Sequence, residues 1–259
     1  MQKLNMAKSE FNNKTVLVTG SSRGIGAEIA KAFAAEGAKL ALHGRDELAL
    51  SAVVSAIAQA GGTAKGFIAE LTKSDEVEEM RSAIEAAFGV PDILILNAGA
   101  NLTPPAALEE IPEEGWRRTI DVNLTATFLT IKSFLPGMKA RKSGSIVTMA
   151  SSAARMPNAF SPIAYGAAKA GIILMTQDLA AQAGESGIRV NCVAPATILT
   201  ERNLAQIPAE RRESIGKVHS LKRLGTPGDV AGAVLFLASE RSAWITGVTL
   251  DIAGGYVMR

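Results

Sequence analysis

Seven short apolar runs are spaced along the chain, separated by longer stretches with apolar residues at three- and four-residue intervals. The runs are Thr15–Val18, Lys39–His43, Ala64–Ile68, Ile93–Leu96, Ser145–Met149, Arg189–Val193 and Val248–Ile252. Their length and β-branched content read as strands, and the most apolar of them as strands buried on both faces. Helical periodicity covers Ile25–Glu36, Glu47–Ala60, Ser74–Phe88, Gly115–Ala140, Tyr165–Ala183 and Gly228–Ser239. Thr226 caps the last of these, with Pro227 at its first position and Asp229 completing a capping box. Regular alternation of strand and helix predicts an α/β fold, a doubly wound parallel sheet of about seven strands. No repeat, low-complexity linker or second boundary interrupts it. Residues 14–259 are therefore expected as a single domain behind an N-terminal extension, residues 1–13.

Two local patterns carry chemistry. Directly after the first strand stands Thr19-Gly20-Ser21-Ser22-Arg23-Gly24-Ile25-Gly26, and a helical pattern with Ile25, Ile29 and Phe33 follows. A glycine turn between strand and helix lets backbone approach a ligand closely. The helix N-terminus then offers free N–H groups and partial positive charge to a pyrophosphate. The second pattern is Tyr165 and Lys169, four residues apart and so on one helix face. A phenol titrates near 10, and an ammonium beside it is expected to lower that value, making an acid/base of an inert Tyr. Each pattern alone has an ordinary alternative, a plain turn or a solvated helix face.

Together, and in this order, they resemble the short-chain dehydrogenase/reductase family, whose members carry Thr-Gly-x-x-x-Gly-x-Gly near the N-terminus and Tyr-x-x-x-Lys beyond the middle. The likeness runs from about Lys14 to Gly255 and points to members similar to NADP-dependent 3-oxoacyl reductases. It implies a Rossmann-type fold and hydride transfer between a nicotinamide and a carbonyl or secondary alcohol. It also implies a homodimer or homotetramer, joined through the helices around Gly115–Ala140 and Tyr165–Ala183 and through the last helix and strand.

Cofactor choice is legible at the end of the second strand. NAD enzymes place an acidic residue there for the ribose hydroxyls, and this chain has Gly44 followed by Arg45. A guanidinium attracts a 2′-phosphate and matches its oxygens. Arg23 in the glycine loop is expected on the other side of that phosphate. NADP(H) is thus expected over NAD(H). By resemblance, Glu70 and Leu71 would meet the adenine, with Glu70 standing where relatives usually have Asp. Asn97, Ala98 and Gly99 match the family's Asn-Ala-Gly beside the adenosine half. Pro195, Ile198 and Thr200 would line the nicotinamide, Ala196 replacing the usual Gly.

Reduction of a ketone creates an alkoxide that must be stabilised and protonated. The resemblance gives Tyr165 the proton, Lys169 the ribose, and a Ser at the end of the fifth strand the carbonyl oxygen. Strand register selects Ser151 for that Ser, whereas the usual spacing back from Tyr165 selects Ser152. Ser151 is preferred, because register is more constrained than loop length. Asn123 matches the family Asn that bends its helix and holds a water linking Lys169 to solvent.

Charge and composition narrow the partners. Balanced charge, 27 basic against 25 acidic residues, argues against nucleic acid. No apolar stretch is long enough to span a bilayer, and Met1–Asn13 lacks a signal-peptide core, so a cytoplasmic protein is expected. Cys192 reads as a buried thiol and His43 as structural; two distant His with no Cys cluster are poor metal evidence. His219 falls in a polar lid around residues 200–220, where solvation is the simpler reading. Arg155 reads as an exposed structural charge before an anion ligand. Leu102, Met156 and Phe160 beside Asn101 and Asn158 leave the small-molecule substrate open between 3-oxoacyl thioesters, other ketones, and sugars or polyols. A non-catalytic NADP(H)-binding sensor or scaffold is the rival from another class.

Overall fold

In the computed structural model, which describes residues 10–157 and 161–258, the apolar runs lie side by side in one sheet. The first half of the chain holds β1 (Thr15–Val18), α1 (Gly24–Ala35), β2 (Lys39–Gly44), α2 (Glu47–Gln59), β3 (Thr63–Ile68), α3 (Ser74–Phe88) and β4 (Ile93–Leu96). The second half continues with α4 (Glu113–Ile120), α5 (Ala126–Arg141), β5 (Gly144–Met149), α6 (Ile163–Ala183) and β6 (Ile188–Pro195). Then come α7 (Glu201–Gln206), α8 (Ala209–Val218), α9 (Pro227–Ala238) and β7 (Thr249–Ile252). Strand order is β3-β2-β1-β4-β5-β6-β7, and every pair is parallel. The order reverses between β1 and β4, so the loops after them diverge and open a crevice at the carboxyl edge of the sheet.

The central strands are buried along their whole length because helices cover both faces. On one face Ile29 and Phe33 of α1 and Val234 of α9 meet Leu40 and Ile95. On the other, Ile84, Phe134 and Met138 meet Leu94 and Ile146. Each such side chain contributes about 1.5–3 kcal/mol by leaving water. Phe11 packs edge-on against Phe33 at 4.8 Å between ring centres, so the folded body reaches back into the segment assigned to the N-terminal extension. Residues 1–9 of that segment lie outside the described residues, as do Asn158 and Phe160 of the expected substrate pocket.

Two regions differ from the pattern. The helix expected over Gly115–Ala140 is α4 and α5 joined by a π-helical turn, Asp121–Thr125, with Asn123 inside it. The segment expected as a polar lid forms two short helices, α7 and α8. Its end is not solvated: His219 is 2 % exposed, Nδ1 donates to the Ile215 carbonyl at 2.8 Å, and the ring stacks on Tyr256. The ring is held as packing, which corrects the solvated reading of His219.

Candidate active site

The glycine loop is held by its neighbours more than by itself. Asn97 Nδ2 donates to the carbonyls of Thr19 and Gly20, both at 3.0 Å, and Ala98 N donates to Thr19 Oγ1. From β2, His43 Nδ1 accepts from Gly20 N at 3.3 Å while Nε2 donates to the Ala69 carbonyl at 3.0 Å. Burial holds the His43 pKa below its ordinary value, so the ring stays neutral and keeps both roles. His43 is thus the hub tying β1, β2 and β3 at their carboxyl ends.

Glycine is required at Gly20 by a φ of +64°, and at Gly26 because a Cβ would stand 2.3 Å from the Gly20 carbonyl oxygen. Arg23 occupies the N-cap of α1 without a side-chain cap bond, leaving first-turn N–H groups free for an anion. A narrow turn, close backbone and a twelve-residue helix opening on the crevice fit a dinucleotide pyrophosphate.

A cleft of about 250 Å³ continues from this turn, lined by Ser22, Arg45, Leu71, Ala98, Gly99 and Arg118 among others. Both arginines expected at a 2′-phosphate stand here, and each faces a carboxylate. Arg23 Nη2 pairs with Asp46, and Arg45 Nη1 donates to Glu70 Oε2 at 3.0 Å. Burial pushes the Glu70 carboxyl up, but the bonds from Arg45 and Thr72 N outweigh it and hold the group below the usual range. Arg118 on α4 borders the same space and was not singled out by any motif.

The catalytic candidates converge at the carboxyl ends of β4, β5 and β6. Ser151 follows β5, accepts from Ala153 N at 3.2 Å, and is hydrogen-bonded to the Tyr165 hydroxyl. Ser152, the other candidate, is buried beside it. Lys169, 2 % exposed, donates from Nζ to the Met149 carbonyl at 2.8 Å and lies 5.6 Å from the Tyr165 ring centre. Burial lowers its pKa to about 8. Burial also dominates Tyr165 and pushes the phenol up; the Ser151 hydrogen bond and the charge of Arg202 oppose it. A Lys169 ammonium lowering the phenol was the expectation, and the net direction here is the opposite, because desolvation of the phenol outweighs the Ser151 bond and the Arg202 charge.

Asn123 joins them from the π turn. Its Nδ2 donates to the carbonyls of Ala100 and Thr119, both at 2.8 Å, while Oδ1 is buried with no partner. Gly99 lies between: a Cβ there would stand 2.5 Å from Asn123 Oδ1 and 3.1 Å from Lys169 Nζ. Pro195 ends β6, Ile198 is buried against Gly225, and Thr200 caps α7 with its methyl facing Gly24. The chain from β6 therefore closes over the glycine loop.

Arg155 is neither exposed nor open to an anion. Its Nε and Nη2 donate to the two carboxylate oxygens of Asp251, at 3.0 and 3.1 Å, in a mostly buried fork. Arg202 on α7, exposed and donating from Nε to Gln206 Oε1 at 3.2 Å, acts on the Tyr165 phenol through its charge, and sequence spacing could not single it out. Among the described residues no three His, Cys, Asp or Glu side chains gather as a metal site, and no helix is long and apolar enough to cross a membrane.

This architecture has relatives. A family model described as enoyl-(acyl carrier protein) reductase matches residues 20–257. A 3-oxoacyl-[acyl-carrier-protein] reductase of Vibrio cholerae is 38 % identical over 248 residues, covering 96 % of this chain and 99 % of its own length. Glucose 1-dehydrogenase 2 of Bacillus subtilis is 34 % identical over 251 residues, covering 96 % of each chain. The crystal structure of a Brucella melitensis 3-oxoacyl-[acyl-carrier protein] reductase with bound NAD superposes with a TM-score of 0.87 at 32 % identity, covering 100 % of this chain and 99 % of the other. With the glycine turn, the sheet order and these near full-length matches together, the chain belongs to the short-chain dehydrogenase/reductase family, as an oxidoreductase that binds a nicotinamide cofactor and acts on CH–OH donors.

Proposed function

We propose that this protein is an NADP(H)-dependent carbonyl reductase, with 3-oxoacyl thioesters or other ketones as the favoured substrates. The observation that carries the reading is the meeting of Ser151, Tyr165, Lys169 and Asn123 at one end of the crevice. Bound cofactor supplies the hydride. Ser151 Oγ donates to the substrate carbonyl oxygen and holds it beside the Tyr165 hydroxyl. A phenol pushed up by burial is protonated at neutral pH, so Tyr165 enters as the acid and gives its proton to the forming alkoxide. Lys169 binds the ribose hydroxyls and stabilises the phenolate left behind. The buried, unpartnered Oδ1 of Asn123 supports its role as the acceptor for a water linking Lys169 to solvent.

Gly44 in place of an acid, with Arg45 and Arg23 beside the adenosine end, supports NADP(H) over NAD(H). The similarity to a glucose dehydrogenase favours sugar or polyol oxidation as the second reading. The test is a panel of 3-oxoacyl thioesters, simple ketones, sugars and polyols, followed at the nicotinamide absorbance with NADPH and NADH separately. Turnover of thioesters or ketones with NADPH preferred is expected; turnover of sugars alone, or preference for NADH, overturns the corresponding half. Tight NADPH binding with silence across the panel favours the sensor.

The protein acts as a cytoplasmic homotetramer or homodimer. Support comes from an apolar groove between α5 and α6, with Phe128 and Leu174 about half exposed beside Leu135 and Met175. Light scattering showing only monomer at micromolar concentration would contradict the assembly.

A further inference from the structure

Arg45, on which the proposed preference for a 2′-phosphate turns, is already engaged. Its Nη1 donates to Glu70 Oε2 at 3.0 Å, from the end of β2 to the segment just beyond β3. The carboxylate is the fixed member of the pair. Its Oε1 accepts from Thr72 N at 3.3 Å, and Glu70 N donates to Glu76 Oε2 at 2.7 Å. The Glu70 side chain is 30 % exposed against 65 % for Arg45, so the guanidinium is the freer end. A phosphate arriving at Arg45 therefore meets a tethered carboxylate on the same donors. It loses part of the fork it would otherwise take and is repelled by a like charge. Because a guanidinium offers five N–H donors, both acids can share it, and the competition is partial.

We propose that Glu70 is a specificity-determining residue that holds the preference for NADP(H) down, its carboxylate competing with the 2′-phosphate for Arg45. The inference rests on the NADP(H) reading above and deepens it. An adenine contact by Glu70 would affect both cofactors equally, since NAD and NADP share the adenine. Competition for Arg45 affects only the phosphorylated one. The ratio of the two dissociation constants separates these roles without any turnover.

The experiment measures Kd for NADP+ and NAD+ by calorimetry on the full chain, for wild type, Glu70→Gln, Glu70→Asp and Arg45→Ala, with Tm of each free protein. Glu70→Gln is expected to raise the ratio Kd(NAD+)/Kd(NADP+) about five-fold at low salt, the upper range for one exposed ion pair. That gain is expected to shrink as salt screens it. Glu70→Asp, which keeps the charge on a shorter arm, is expected to give a smaller rise and serves if the Gln variant does not fold. An unchanged ratio in the folded Gln variant, or in the Asp variant where Gln fails, overturns the inference while Arg45→Ala still lowers the ratio. If Arg45→Ala leaves the ratio unchanged, the NADP(H) reading itself falls, and the inference with it.

Discussion

The two ends of the crevice hold cations in opposite solvent regimes. At the adenosine end the Arg23 and Arg45 side chains are 63 % and 65 % exposed, and each has a carboxylate partner. At the catalytic end Lys169 is 2 % exposed, and its ammonium donates to a neutral carbonyl, that of Met149. Water screens the first pair of charges, so they cost little and adjust to whichever anion is present. The buried ammonium has no carboxylate partner among the described residues, and burial loosens its proton. On the proposed function, recognition is built where charge is cheap, and proton chemistry where it is not.

Breaking the catalytic end should have the largest effect. Tyr165→Phe removes the proposed proton donor and its bond to Ser151 but keeps the ring. Loss of a positioned general acid lowers kcat/KM by about 10²–10⁴-fold. Dissociation of NADPH, measured by fluorescence, should change by less than about two-fold, because the charges proposed to set cofactor choice lie at the other end. Equal losses in turnover and cofactor affinity would break the division between the ends.

The burial contrast can be read in stability against pH. The folded Lys169 pKa is about 8, below the ordinary value of 10.5. Between these values the unfolded chain binds the extra proton, so stability rises with pH from about 8 toward 10. The rise attributable to this group is on the order of 2 kcal/mol. Tyr165 and Cys192, both pushed up by burial, act in the opposite sense above their unfolded values. Subtracting Lys169→Met denaturation curves at pH 7.5 and 9.5 from wild type isolates the lysine. A difference that does not grow with pH would mean that the ammonium is solvated after all.

How much of this was legible in the sequence depended on the range of the interaction. β1 and β4 are covered on both faces, so their burial is written as unbroken apolar runs that mark the strands at once. The glycine turn and the Tyr165–Lys169 spacing are likewise local. The bend at Asn123 came only from the family resemblance, and that it takes the form of a π turn was not legible in the apolar periodicity. Nor were the pairings of Arg155 with Asp251 or Arg45 with Glu70, whose partners are distant in sequence and meet only because the strand order brings them together. His219 misled for a related reason: its segment is polar, but its own ring is covered by Tyr256 from the far end of the chain.

The smallest effect sharpens the exposed side of the comparison. Asp46 does two things: Oδ1 accepts from Ala49 N as the N-cap of α2, and Oδ2 pairs with Arg23. Arg23→Ala removes only the ion pair, and with both partners so exposed Tm should move by less than about 1 °C. Asp46→Ala also removes the cap, which satisfies a backbone donor whatever the salt, and Tm should fall by about 2–4 °C. Raising ionic strength should leave the Asp46→Ala loss nearly intact, because a cap bond to a backbone N–H is short-ranged and hardly screened. Thermal melts of both variants at low and high salt give the comparison directly. Equal losses for the two, vanishing together in salt, would show that the pair and not the cap holds this corner, and that charge at the adenosine end is structural as well as selective.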